Sequence, residues 1–157
     1  MLFRSMSKIS LICCPAERDR RMRVQEGQGW RLAHEASRQP FCVLIAGAGW
    51  AGELRSAEAL ALRDGVRRLE EQRQALANVL MPEEELCLEI ELDLAPGSLW
   101  LELDGGPQGW GLRFVLTPAD GSRAFEGSWP APTATPLMAA LEQLDLSLEA
   151  AASGNSD

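Results

Sequence analysis

A chain of 157 residues that is 46% apolar and 24% charged has the size and make-up of one globular domain with a real core. Its formal charge of −8 comes from 23 acidic against 15 basic groups, and Lys8 is the single lysine. That balance excludes broad, salt-driven binding to a phosphate backbone, though not a local arginine-lined groove, and no apolar run approaches membrane-spanning length.

Residues 1–21 hold five basic groups (Arg4, Lys8, Arg18, Arg20, Arg21) and two acidic ones (Glu17, Asp19), which leaves −11 on residues 22–157. Ser5, Ser7, Lys8 and Ser10 break up the apolar core that a signal peptide requires. The segment therefore reads as an unstructured or mis-assigned leader ahead of a start at Met22, with residues 18–23 basic and unpatterned. The cysteines are Cys13, Cys14, Cys42 and Cys87, with no C-x-x-C among them. Cys42 and Cys87 fall within predicted strands as small apolar residues, so a reducing, cytosolic compartment is expected.

Gly29 opens the first predicted strand, where Trp30, Leu32 and His34 alternate with Arg31, Ala33 and Glu35. A turn at 37–40 leads to a nearly continuous apolar run at 41–46, the pattern of a central strand. Residues 47–49 break it, and 50–54 form a short strand or a bend. Ser56 is the expected cap of a helix running to about Leu80, with Leu62, Val66, Leu69, Leu76 and Leu80 on one stripe and Pro82 as its stop.

Four strands follow between 86 and 129. Leu86, Leu88, Ile90, Leu92 and Leu94 alternate with Cys87, Glu89, Glu91 and Asp93. Leu99, Leu101 and Leu103 alternate with Trp100, Glu102 and Asp104; Trp110, Leu112, Phe114 and Leu116 with Gly111, Arg113 and Val115; Phe125, Gly127 and Trp129 with Ala124, Glu126 and Ser128. Thr135 is the expected cap of a second helix starting at Pro136, with Leu137, Leu141, Leu144 and Leu148 on its apolar face. Residues 150–157 have the composition of a disordered tail. The reading is one α+β domain over 22–149: an antiparallel sheet with two helices, in a pseudo-repeat of strands then helix.

Gly47-Ala48-Gly49-Trp50-Ala51-Gly52 is a literal G-x-G-x-x-G between an apolar run and a helix, the local context of a dinucleotide site. Trp50 fills the loop with a large ring, residues 53–55 separate it from the cap, and no second strand ends in an acid about twenty residues on. A glycine-rich bend is the better reading. His34 is the single histidine and has no nucleophile paired with it. Glu89, Glu91, Asp93, Glu102, Asp104, Arg113 and Glu126 fall on the polar side of successive strands, as cross-strand ion pairs of a solvated face would. Five tryptophans and no tyrosine occur, with Trp100 on the polar face and Trp50 and Trp110 at strand edges. Exposed aromatics among Arg31, Arg55, Arg113 and Arg123 are the means by which sequence-tolerant single-strand binders stack bases; tryptophans that merely cover sheet ends are the plainer alternative.

The runs Gly29-Trp30-Arg31-Leu32, Arg38-Gln39-Pro40-Phe41, Trp50-Ala51-Gly52-Glu53-Leu54, Trp110-Gly111-Leu112-Arg113-Phe114 and Glu126-Gly127-Ser128-Trp129-Pro130-Ala131-Pro132 resemble a cyanobacterial family, the domain of unknown function 1818, over roughly residues 22–145. The resemblance implies a Whirly-like fold, similar to that of single-stranded-DNA-binding transcription regulators, with two units of four strands and a helix. It carries no activity and no functional residues. The lysine-rich binding strand of the Whirly proteins has no counterpart here.

The expectation is a cytoplasmic, non-enzymatic binding or regulatory module without a cofactor or metal. It would act through Trp50, Trp100, Trp110, Arg31, Arg55, Arg113 and Arg123, on a protein or a single nucleic-acid strand. The alternative is a small-ligand binder or enzyme using residues 47–52 or the sheet carboxylates.

Overall fold

The computed structural model describes residues 22–118 and 122–146. The leader with Cys13 and Cys14, most of the turn expected at 120–122, Leu148 and the tail at 150–157 lie outside the described residues.

Alternation of apolar and polar residues yields eight strands: β1 (Met22–Gly27), β2 (Trp30–Glu35), β3 (Phe41–Gly47), β4 (Trp50–Arg55), then, after the helix α1 (Ser56–Leu76), β5 (Leu86–Asp93), β6 (Gly97–Gly106), β7 (Gly109–Pro118) and β8 (Phe125–Trp129), followed by α2 (Ala131–Glu142). The class is α+β with every strand pair antiparallel, and each set of four strands is followed by a helix. The strands divide into two sheets, ordered β1-β2-β3-β4 and β5-β6-β7-β8, rather than joining in one.

Each helix touches both sheets. α1 packs on β5 and β6 and also reaches β3 and β4, while α2 lies on β7, β2 and β1 and meets α1. The core therefore sits between the sheets, built from Leu32, Val43, Ile45 and Leu54 on one side, Leu101, Leu103, Leu112 and Phe114 on the other, and Leu62, Leu69, Leu137 and Leu141 from the helices. Gly65 lets α1 approach the second sheet, since a Cβ there would lie 2.3 Å from Leu101 Cδ1. Trp129 is the fastener between sheets: buried in β8, its Nε1–H donates to the Ala46 carbonyl of β3 at 2.9 Å.

Four expected elements differ. Residues 22–27, of which only 22–23 fall in the basic run expected to be unpatterned, form β1, and Gly29 lies in the two-residue turn before β2 rather than opening it. α1 begins directly where β4 ends, so Arg55 rather than Ser56 is the N-cap, and the Glu58 carboxylate accepts the Arg55 N–H at 3.1 Å. The helix stops at Leu76, not Leu80, because Asn78 is a poor helix former and the backbone tightens into turns, Ala77 N–H to Gln74 and Val79 N–H to Leu76. Leu76 is left 37% exposed at the end of the helix and Leu80 is half-buried in the turn beyond it, while Val79 and Met81, off the stripe, are 72% and 64% exposed.

α2 starts at Ala131, not Pro136. Pro130 is its N-cap, and the carbonyl of Pro130 accepts from Thr133 and Ala134 at 2.9 Å each. Pro136 sits inside the helix, where its missing N–H is offset by burial of Leu137, Met138, Ala140 and Leu141.

Candidate binding surfaces

Sheet register gives the second sheet one buried and one outward face. Its outward face holds Cys87, Glu89, Glu91 and Asp93 from β5; Trp100, Glu102 and Asp104 from β6; Arg113 from β7; and Glu126 from β8. Cross-strand charge pairing accounts for little of it. Glu89 faces Glu102, Glu91 faces Trp100, and Arg113 is the single basic group against six carboxylates. Arg113 lies 3.6 Å from the Glu126 carboxylate, and its guanidinium carbon sits 5.7 Å from the centre of the half-buried Trp100 ring. The expected cross-strand ion pairing is thus met at Arg113, which faces Glu102 and pairs with Glu126, and not between β5 and β6. The β5–β6 hairpin sets carboxylate against carboxylate, a cost that folding alone gives no reason to retain.

Cys87 belongs to this patch. Loss of hydration against the sheet holds its thiol above the ordinary range, and the hydrogen bond to Glu102 and the negative field of Glu102, Glu89 and Asp104 act the same way. Ligand atoms of Cys87, Glu89 and Glu102 come within 4.8 Å of one another, the nearest approach to a metal-ligand set among the described residues. A thiol pushed towards its neutral form is a poor ligand and a poor nucleophile.

The other expected residues are dispersed. Trp50 packs in the core against Trp129 (5.1 Å between ring centres), Phe114 (5.7 Å) and Phe125 (5.9 Å), so its ring is not on an open face. Trp110 points to the helix side, walling a cleft of about 390 Å³ with Val66, Met138, Glu70 and Arg73. There Arg73 Nε donates to Glu70 at 2.8 Å, which holds the Glu70 carboxyl below and the Arg73 guanidinium above their ordinary values. Arg31 is on the outward face of the first sheet, 3.7 Å from Glu26. Arg55 and Arg123 do come together, in a groove of about 540 Å³ between β4 and the β7–β8 end of the second sheet. Phe41 and Phe125 line it too, with the Arg55 guanidinium 5.4 Å from the Phe41 ring centre. No continuous basic strip joins the four arginines.

The glycine motif is a hairpin. Ala48 and Gly49 form the two-residue turn between β3 and β4, with Gly49 at φ +81°, a conformation suited to glycine. Gly47 leaves room for the Trp50 indole and Gly52 for Phe125, where a Cβ would lie 2.1 Å from the ring. β4 separates Gly47 and Gly49 from α1, and Gly52 lies within β4 against the Phe125 ring, so the three glycines form no loop at the helix N-terminus and the dinucleotide reading of residues 47–52 is set aside. His34 is buried beside Arg23, Gln25 and Asp145. No helix among the described residues is long and apolar enough to cross a membrane.

Two antiparallel four-stranded sheets around a pair of helices, with one acidic outward face, define an α+β domain without a convergent catalytic constellation among the described residues. Residues 25–144 match the family described as domain of unknown function (DUF1818), and the chain belongs to that family. A crystal structure of a protein of unknown function from the DUF155 family of Prochlorococcus sp. NATL2A is similar: 32% identity, a TM-score of 0.70, and coverage of 77% of this chain and 97% of that one. A search of the curated proteins gave no match.

Proposed function

We propose that the chain is a non-enzymatic protein-binding module whose outward second-sheet face receives a basic, extended segment of another protein. The observation that carries the reading is the like-charged β5–β6 register, Glu89 opposite Glu102 with Trp100 beside them. Charge is steered to one surface, an aromatic ring is set in its middle, and one arginine is too few to neutralise it. Arginine side chains of a partner would pair with the carboxylates and stack on Trp100 where Arg113 now lies.

The test is anisotropy of a labelled arginine-rich peptide against the Glu91→Gln/Glu102→Gln double variant. The control is Glu71→Gln/Glu83→Gln, which removes the same charge from α1 and the loop after it. Loss of binding in the first alone supports the reading. Equal loss in both reduces it to non-specific attraction. Trp100→Ala should weaken the peptide complex in the same assay.

A second reading rests on the groove lined by Arg55, Arg123, Phe41 and Phe125, which gathers two guanidinium groups and two rings in one channel. The order of two units of four strands and a helix supports a Whirly-like arrangement, similar to regulators that hold single-stranded DNA. The acidic body weighs against this partner, and saturable binding of a labelled single-stranded oligonucleotide at low salt is the result that would favour it.

A further inference from the structure

We infer that the free edge of the first sheet is a homodimer interface, with β1 paired antiparallel to β1 of a second copy. β1 is bonded to β2 alone among the described strands, and all six of its residues are exposed. Such an edge presents a row of unpaired N–H and C=O groups, which sheets ordinarily blunt with charge, proline, bulges or cover.

The other three edges are blunted in these ways. β5 carries Glu89, Glu91 and Asp93, which repel a copy of themselves. β8 is five residues long and is tied to β3 through Trp129. β4 carries Glu53 and Arg55 and runs directly into α1 at Ser56. β1 has no proline and no lysine, and it pairs with β2 residue for residue without a bulge.

Charge selects the register. A two-fold axis normal to the sheet must fall on a residue, because facing residues share a face. Centred on Arg23 or Glu26, the pairing sets like charges together; centred on Gln25, it sets Val24 against Glu26. Centred on Val24, it joins Val24 to Val24, Met22 to Glu26 and Arg23 to Gln25, with no like-charged pair. Val24 and Met22 are 38% and 41% exposed. Val24 faces Ala33, and Ala33 faces Leu44, so pairing would extend this outward apolar stripe through the axis into the second copy. The bonds are backbone and apolar while both copies are acidic, so added salt should tighten the dimer. Basic-peptide binding should weaken with salt, which keeps the two proposals distinguishable.

Sedimentation equilibrium of the full chain through the micromolar range tests the inference. The wild type should be a dimer. Val24→Lys and Val24→Glu, exposed substitutions that leave the circular-dichroism spectrum unchanged, should each weaken it by about tenfold or more, and their equimolar mixture should restore it. A wild-type chain that stays monomeric, or a dimer equally tight in both variants, would overturn the inference.

Discussion

Glu102→Gln should make the protein more stable and less able to bind, because Glu102 faces Glu89 across the β5–β6 pair. Their carboxylate oxygens come within 4.8 Å, and at that spacing two unit charges in water repel by about 0.9 kcal/mol. Screening at roughly 0.15 M salt removes about half, and Arg113 on β7, opposite Glu102, returns a little attraction that the substitution loses. The net expectation is a gain of about 0.3 kcal/mol, inside the usual range for cross-strand pairs and worth roughly 1 °C in melting temperature for a domain of this size. Urea unfolding at low and high salt is the assay. The gain should be largest at low salt and fade as salt rises, while affinity for an arginine-rich peptide falls. A variant less stable than wild type at both salts would show that Glu102 is a structural acceptor, and the functional account of this face would lose its footing.

Trp129→Phe removes the Nε1–H bond to Ala46 and leaves a void of about 40 Å³ among Trp50 and Phe114; the two effects together should cost about 2–3 kcal/mol in denaturant unfolding, and a loss below about 1 kcal/mol would refute its role as fastener. The Cys87 thiol, held above its ordinary value, should alkylate more slowly at pH 8 than a free cysteine, and Glu102→Gln should speed it; unchanged rates would show that Glu102 does not govern the thiol. The Glu70 carboxyl is held below its ordinary 4.5, chiefly by the Arg73 hydrogen bond. The pair therefore stabilises the fold above that value and loses its contribution as pH falls through 4.5 towards the folded value, so acid unfolding of Glu70→Gln should lack this component.

Period-two alternation made β5 to β8 legible in the sequence, because Leu86 to Leu94 and Leu99 to Leu103 declare one buried face each. β1 was not legible that way, since it buries neither face. A different signal was available: Gly27-Gln28-Gly29-Trp30 and Gly47-Ala48-Gly49-Trp50 repeat one hairpin, with the indole folded over the first glycine and φ +81° at the second. α2 was displaced because Pro136 reads as a helix start, whereas tertiary burial holds it mid-helix. Division into two sheets rests on how α1 and α2 each bridge both sheets, contacts that no local pattern carries. The residues of the candidate face were visible as polar alternation. Their like-charged pairing followed from the hairpin register, in which Leu86 meets Gly105 and Glu89 therefore meets Glu102. Trp50 was the deceptive residue, since a tryptophan after a glycine turn looks like an edge and is instead packed against Trp129.

The most direct measurement is a paired titration of the full chain by anisotropy, one labelled arginine-rich peptide and one labelled single-stranded oligonucleotide, each at low and moderate salt. Saturable peptide binding that weakens with salt is expected, with no oligonucleotide binding even at low salt. Saturable oligonucleotide binding with an inert peptide would contradict it and move the functional surface to the groove of Arg55 and Arg123.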